Sequence, residues 1–259
     1  MDINGFKVVA LVLILLTGLG GGFLARWISK ARHSEAFFSL GNAFAGGVFL
    51  GAGLIHMLPD AQSGFAAIAG GSDFPWFAVV CCLGFLAILF LDNVLVRAAH
   101  QDVLATTRTD GTLYSYVLML ILSIHSIITG IALGTESRIA QALVILIAVM
   151  AHKGTAAFAL GVSLVHGGIA RRRMIALIAL FSCMTPVGIA LGIGCMQLLS
   201  GRAAQVFEAG FDALAAGTFL YVAVLGILHK EFAKSSLIGA KFVLVLAGLT
   251  VMAIVAVWT

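Results

Sequence analysis

The sequence predicts an all-α integral membrane protein with eight transmembrane helices, and three observations support this fold class. Hydrophobic residues make up 61% of the 259-residue chain, whereas charged residues make up only 10%. The mean hydropathy is +1.13. Apolar segments of about 20 residues, the length that spans the hydrocarbon core of a bilayer, recur along the whole chain. Soluble domains are about half apolar and about a quarter charged, so this composition excludes them.

The apolar segments follow one another with short polar connections that leave no room for a soluble domain. We therefore interpret residues 1–259 as one transmembrane domain. Helices 2, 4 and 6 carry glycines at spacings that let helix backbones approach closely. Pro186 should kink or break helix 6 near its middle. The predicted helices are 6–29, 37–59, 75–98, 113–135, 139–166, 174–199, 204–228 and 236–258.

Lysines and arginines are unevenly distributed between the two sets of loops, and this predicts the orientation. Eleven follow helices 1, 3, 5 and 7, three lie on the opposite side, and Lys153 lies inside the membrane. Short loops rich in Lys and Arg stay in the cytosol, so both termini are predicted to be extracytoplasmic. A plasma membrane or bacterial inner membrane is favoured over an organelle. The net charge of +4 comes from basic residues in the short loops that flank the helices. These residues do not form a continuous basic surface that would bind nucleic acid.

Two histidines lie near the middle of neighbouring helices, His125 in helix 4 and His152 in helix 5. An ionisable side chain at that depth is costly and is by default a candidate for function. Two neutral imidazoles at matched depth could bind one divalent metal such as zinc, with the hydroxyls of Ser126 and Thr129 nearby. The alternative is that each histidine bonds a carbonyl or hydroxyl and links helices. The matched depth favours the metal site.

Lys153 follows His152 directly and is too central to reach water easily. Its ammonium group would repel a metal ion. We interpret it as a tethered cation that modulates the charge of the site, replaces a second metal ion and keeps the site mononuclear. Asp92, in the inner half of helix 3, could pair with Lys153 or Arg97, or act as a relay toward an exit.

Further polar pairs lie near the outer ends of helices 2 and 7. His56 and Asp60 are four residues apart at the predicted end of helix 2, so they share one helical face and could receive a metal from outside. Glu208 and Asp212 repeat this spacing in helix 7. Either pair could attract cations, and a polar helix end that meets lipid headgroups is the alternative interpretation of the first pair.

Five motifs occur in the same order on these helices as in a known family. They are Phe44–Leu50 with His56–Asp60, His125-Ser126 followed by Gly130, His152-Lys153 followed by Ala157–Gly161, Thr185–Gly188, and Ala216–Tyr221. Along most of its length the chain thus resembles the ZIP (Zrt-, Irt-like protein) family of divalent-metal transporters. The resemblance implies a 3+2+3 arrangement of helices and His125 and His152 as metal ligands. It also implies that a bundle of helices 1, 4, 5 and 6 moves against helices 2, 3, 7 and 8.

The chain departs from this family at three positions. Thr129, Ala156 and Gly226 are uncharged where many relatives carry an acidic residue. A divalent ion would therefore meet two neutral imidazoles and hydroxyls, with no carboxylate directly beside it. Burying uncompensated charge is expensive, so Asp92 or Asp60 would have to compensate, or binding would be weaker.

The sequence predicts a transporter, not an enzyme, that moves Zn²⁺ or a similar divalent ion (Fe²⁺, Mn²⁺ or Cd²⁺) toward the cytosol by alternating access. It contains no Walker A loop, HExxH motif or nucleophile elbow, and no prosthetic group is expected. The expected partners are the metal ion and the lipid bilayer, a homodimer is left open, and nucleic acid is excluded. The alternative is a non-transporting membrane metal sensor or scaffold. A metallohydrolase is disfavoured because no carboxylate lies within a turn of either histidine.

Overall fold

The computed structural model describes residues 2–32, 34–68, 74–92, 109–195 and 201–257. Within these ranges the chain forms helices, which we number α1 to α8, and no strand. They are α1 (Ile3–Ile28), α2 (Ser34–Gly51 continuing through Ala52–Met57 to Leu58–Ile68), α3 (Trp76–Phe90), α4 (Thr109–Thr135), α5 (Ile139–His166), α6 (Arg171–Cys195), α7 (Arg202–Tyr221 continuing through Val222–Leu228 to His229–Phe232) and α8 (Ile238–Val255).

The predicted all-α membrane fold class is confirmed. Seven helices are long and apolar enough to cross a bilayer, by length and composition. The eighth, α3, is apolar but has only 15 residues. The predicted continuation of this helix from residue 93 to residue 98, and most of the polar connection that follows it, lie outside the described residues.

The predicted end of helix 2 near Pro59 is wrong, because α2 continues to Ile68. A wider π-helical turn, Ala52–Met57, lies immediately before the proline, and the Leu58 N–H donates to the carbonyl of Gly53, five residues back. Such local widening is one way in which membrane helices accommodate a proline that lacks an N–H. His56 therefore lies within a continuous helix rather than at its end.

Other helix boundaries also differ from the prediction. Helix α4 begins at Thr109 instead of residue 113, and α7 extends to Phe232 instead of residue 228 through a second π-helical segment, Val222–Leu228. Helix α6 runs without a break through Pro186. Helix α4 packs closely against the same stretch, at Gly188.

The helices group into two bundles. Helices α1, α4, α5 and α6 pack mainly with one another, through the pairs α1–α5, α4–α6 and α1–α6; we call this group the histidine bundle. Helices α2, α3, α7 and α8 form the second bundle, through the pairs α2–α8, α3–α7 and α2–α7. Between the two, the largest contact is that of α2 with α5. This is the division that the family resemblance implies.

Glycines bring the backbones within each bundle into direct contact. A Cβ atom at Gly188 of α6 would overlap the carbonyl oxygen of Ile127, and one at Gly130 of α4 would overlap the carbonyl oxygen of Thr185. In the second bundle, a Cβ at Gly248 of α8 would overlap the carbonyl oxygen of Phe44. Contacts between rigid backbones cannot adjust by rotamer changes, so each pair of helices behaves as one body.

Two lysines that contribute to the predicted loop charges are in fact buried. The Lys7 ammonium donates to the carbonyl of Gly134 at the C-terminal end of α4, over 2.6 Å. The Lys241 ammonium donates to the carbonyls of Glu231 and Lys234, over 2.6 and 3.1 Å, at the end of α7. Both satisfy carbonyls that a helix end leaves without a partner. Without them the bias is ten against two, so the predicted orientation keeps its basis.

Candidate metal site

The imidazoles of His125 and His152 face each other across the contact between α4 and α5. Their Nε2 atoms are 3.4 Å apart, and the side chains are 6% and 4% exposed. Two nitrogens bound at about 2.0–2.1 Å to a tetrahedral Zn²⁺ lie about 3.3 Å apart. The observed spacing therefore suits two ligands of one ion.

Phe219 of α7 closes one side of the histidine pair. Its ring centroid lies 4.5 Å from that of His125 and 6.0 Å from that of His152. Phe219 in turn packs edge-on against Phe49 of α2, with centroids 5.0 Å apart. The pair thus belongs to one bundle and contacts an aromatic wall that belongs to the other.

The predicted hydroxyl ligands have other partners in this arrangement. Ser126 Oγ accepts a hydrogen bond from the Lys153 ammonium over 2.9 Å. Thr129 Oγ1 donates to the carbonyls of His125 and Ser126, over 3.1 and 3.2 Å. Both hydroxyl oxygens keep lone pairs that could bind a metal ion. Of the two residues, only Thr129 lines the cavity described below, which both histidines also line.

Lys153 is directed toward α6, away from Asp92. Besides Ser126, its ammonium contacts the carbonyl of Phe181 at 3.3 Å and lies 3.8 Å from the centroid of the Phe181 ring. Asp92 instead accepts a hydrogen bond from Tyr221 of α7 over 2.5 Å. The suggested pairing of Asp92 with Lys153 is therefore wrong, because Ser126 of α4 and Phe181 of α6 supply the partners of the lysine. Arg97, the other suggested partner, lies outside the described residues.

A cavity of about 400 Å³ leads to the histidine pair from the side of the molecule where α2 ends and α5 begins. His56 and Asp60 line it, and the Nδ1 atom of His56 lies 3.1 Å from the Oδ2 atom of Asp60. Asp212 of α7 lines the same cavity. The cavity therefore brings together residues predicted at separate places, with the two acids nearer its outer part.

A second cavity of about 340 Å³ lies toward the opposite end of the molecule. It shares no lining residue with the first cavity among the described residues. Buried apolar side chains, including those of Leu122, Phe219 and Val222, belong to the core that surrounds the histidine pair. The histidine pair is thus connected to the first cavity, and buried apolar side chains separate it from the second cavity.

In the part of the chain that the structure describes, no group of three or more His, Cys, Asp and Glu side chains converges enough to hold a metal ion. This finding agrees with the uncharged residues at positions 129, 156 and 226, where many relatives carry an acidic residue. Thr129 and Ala156 border a small space beside the histidines. Gly226 lies in the second cavity, where a Cβ would be 2.7 Å from the Tyr114 hydroxyl oxygen. An acid at position 226 would therefore not reach the histidine pair.

Two features were missed at the sequence level, one beside the histidine pair and one, Glu231, in the second cavity. Phe219 lies in a motif chosen only for its resemblance, and nothing in an apolar helix marks which phenylalanine contacts the histidines. Glu231 is 4% exposed and accepts hydrogen bonds from Ser39 and Asn42, over 2.6 and 2.9 Å. Ser39 and Asn42, two polar residues in an apolar stretch of helix 2, were the signal that could have revealed this cluster.

The fold and the site define an all-α integral membrane protein with a buried pair of histidines at the end of a cavity. A model of the ZIP zinc transporter family matches residues 4–113 and 101–256. The chain belongs to this family, which consists of membrane zinc transporters and not of enzymes. The resemblance inferred from the five motifs is therefore confirmed.

Individual relatives agree over almost the full length of the chain. Zinc transporter ZIP2 of Mus musculus is 29% identical, and that of Homo sapiens is 30% identical; both comparisons cover 98% of this chain and 98% of the relative. Zinc transporter ZIP1 of Takifugu rubripes is 31% identical over 95% of this chain and 96% of the relative.

Proposed function

We propose that this protein carries Zn²⁺, or a similar divalent cation, across the membrane toward the cytosol, with His125 and His152 as shared ligands. The observation that carries this proposal is the 3.4 Å separation of their Nε2 atoms at the inner end of a cavity. The positive-inside bias supports an opening of this cavity on the extracytoplasmic side. The arrangement is then outward-facing, and the cation would next have to pass the apolar core beside Phe219.

Acidic groups in the cavity reduce the electrostatic cost of bringing a divalent charge to two neutral imidazoles. Asp60 and Asp212 line the same cavity as the pair. In a low-dielectric surrounding, their charges act over a longer distance than in water. His56 and Asp60 would receive the ion first, and water molecules would complete its coordination beside the imidazoles.

Alternating access follows from two bodies that move relative to each other. The backbone contacts at Gly130, Gly188 and Gly248 lie within bundles. By contrast, the contact of α2 with α5 includes the Phe158 side chain, whose ring a Cβ at Gly41 would overlap. Side chains can repack where backbones cannot. We infer that movement occurs at this contact, so that the histidine bundle carries the ion past Phe219.

Zinc uptake by purified protein in liposomes tests the proposal directly. A zinc indicator enclosed in the liposomes should report influx above that of protein-free liposomes, and the influx should saturate with zinc concentration. Binding of zinc without any influx would instead support a non-transporting sensor or scaffold, to which the absence of a carboxylate beside the histidines among the described residues also points.

A carboxylate at position 129 should tighten metal binding. Thr129 borders the space beside both histidines, and Thr129→Glu adds a negative ligand that partly offsets the charge of the ion. Turnover should fall, because a more tightly bound ion is released more slowly. Calorimetric titration of Thr129→Glu against the isosteric, neutral Thr129→Gln measures the effect of the charge.

Lys153 provides an internal check on this result. Its ammonium bonds the hydroxyl of Ser126 and could pair with the new carboxylate. The gain in affinity should therefore be larger when Thr129→Glu is combined with Lys153→Met. If neither variant shifts the dissociation constant, Thr129 does not line the binding site.

A further inference from the structure

An apolar crevice of about 570 Å³ lies where the two bundles meet. Its walls include Leu24 and Ile28 of α1, Phe37 of α2, Gly154 of α5 and Leu244 of α8. Leu24 and Phe37 are 47% and 56% exposed, so the crevice opens on the membrane-facing surface. One wall thus belongs to the histidine bundle and the other to the second bundle.

The crevice offers no free hydrogen-bonding group among the side chains that line it. Only two of these side chains are polar, those of Thr17 and Thr155. Thr17 Oγ1 donates to the carbonyl of Leu13, and Thr155 Oγ1 donates to the carbonyl of His152, each over 2.8 Å. A polar occupant would lose its own hydrogen bonds here, whereas a hydrocarbon chain would not. The walls therefore fit an acyl chain.

One end of the crevice lies beside a group of cations. Ile28 and Phe37 flank the connection between α1 and α2, which carries Lys30 and Arg32, and Arg26 lies in the last turn of α1. In the described part of the chain none of these three cations has an ion-pair partner. The nearby acid, Glu35, lies 3.5 Å from His166. Basic residues beside a membrane helix attract anionic headgroups.

We propose that one anionic phospholipid binds at this crevice, with an acyl chain between the bundles and its phosphate beside Arg26, Lys30 and Arg32. The chemistry of the two parts agrees, since the site is apolar in its depth and cationic at its rim. An acyl chain in the crevice touches α1 and α5 on one side and α2 and α8 on the other. It can make both sets of contacts only while the two bundles keep this spacing. Bound lipid therefore favours the arrangement seen here over one in which the crevice has closed.

Lipid retention by the full-length protein tests this site. The probes are spin-labelled phosphatidylglycerol and spin-labelled phosphatidylcholine, and the readouts are the motionally restricted fraction and native mass spectrometry. The wild type should retain one phosphatidylglycerol per chain and should prefer it to phosphatidylcholine by at least about fivefold, since juxtamembrane cations attract anionic lipid. Equal retention of the two lipids, or no restricted lipid at all, would overturn the proposal.

Two matched substitutions separate the crevice from the rest of the lipid-facing surface. A Cβ at Gly154 would meet only Thr17 Cγ2, at 3.3 Å, so the leucine of Gly154→Leu extends into the crevice. A Cβ at Gly20 of α1 would meet nothing within 4 Å, and Gly20→Leu is the control. Retention should be lost in Gly154→Leu and kept in Gly20→Leu. Equal retention by both variants, or equal loss, would refute the site.

Two more variants keep the test decisive. Should Gly154→Leu fail to fold, Leu244→Trp fills the crevice from the second bundle and should show the same loss; unchanged retention in Leu244→Trp would then exclude the crevice. Replacing Arg26, Lys30 and Arg32 together by Gln should remove the preference for phosphatidylglycerol while a lipid remains bound. A preference that survives this change would exclude these cations as the headgroup site.

Discussion

Replacing either His125 or His152 by alanine should abolish most zinc uptake while leaving insertion and folding intact. The two imidazoles are the only His, Cys, Asp or Glu side chains that meet at this point among the described residues, so each variant removes one of the two nitrogen ligands that we propose. Loss of an outer hydrogen-bond partner of a metal ligand already costs about 10–100-fold. Loss of the ligand itself should lower uptake by at least about 100-fold.

The control for this experiment is another histidine of the chain. His229 lies on the exposed side of α7 and lines neither of the two large cavities. His229→Ala should keep wild-type uptake and wild-type zinc affinity. If His125→Ala and His152→Ala both transport at the wild-type rate, the ion takes a route that does not include the pair.

Replacing Gly188 by valine should destabilise the protein strongly. The new Cβ would overlap the carbonyl oxygen of Ile127 in α4, and the branched side chain would force α4 and α6 apart. Overpacking a core usually costs about 1–3 kcal/mol and occasionally more. Because a backbone atom cannot move aside as a side chain does, the cost should lie at or above the top of that range. The measurement is thermal unfolding of the purified protein, with the folded fraction that remains after heating read by size-exclusion chromatography.

Gly194 of the same helix offers a matched control. A Cβ there would meet nothing within 4 Å. Gly194→Val tests the same substitution on the same helix without the close approach, and it should shift the midpoint of unfolding only slightly. Similar loss of stability in both variants would mean that valine is poorly tolerated in α6 for reasons other than its contact with α4.

The helices were predictable because hydrocarbon imposes a simple requirement on each of them. An apolar run of sufficient length identifies a span whatever its neighbours are. The end of helix 2 was not predictable in this way. Pro59 is a usual stop signal in soluble helices, whereas here the π-helical turn Ala52–Met57 precedes it and α2 continues to Ile68.

The candidate site shows the same limit. The encounter of His125 with His152 was expected because their depths, which can be counted along each helix, match. The partners of Lys153 were not expected, because Phe181 and Ser126 lie on two other helices and depth leaves their rotation about the helix axis undetermined. Phe219 reaches the pair from the second bundle, and its role depends on how the two bundles meet.

The two buried lysines have a consequence for the order in which the chain is assembled. Lys241 bonds to carbonyls at Glu231 and Lys234, which have already been synthesised when α8 leaves the ribosome. Lys7 needs the carbonyl of Gly134, which comes 127 residues later. The ammonium of Lys7 must therefore stay hydrated at the interface until α4 is complete. Helix α1 therefore cannot reach its final position before α4 has been synthesised.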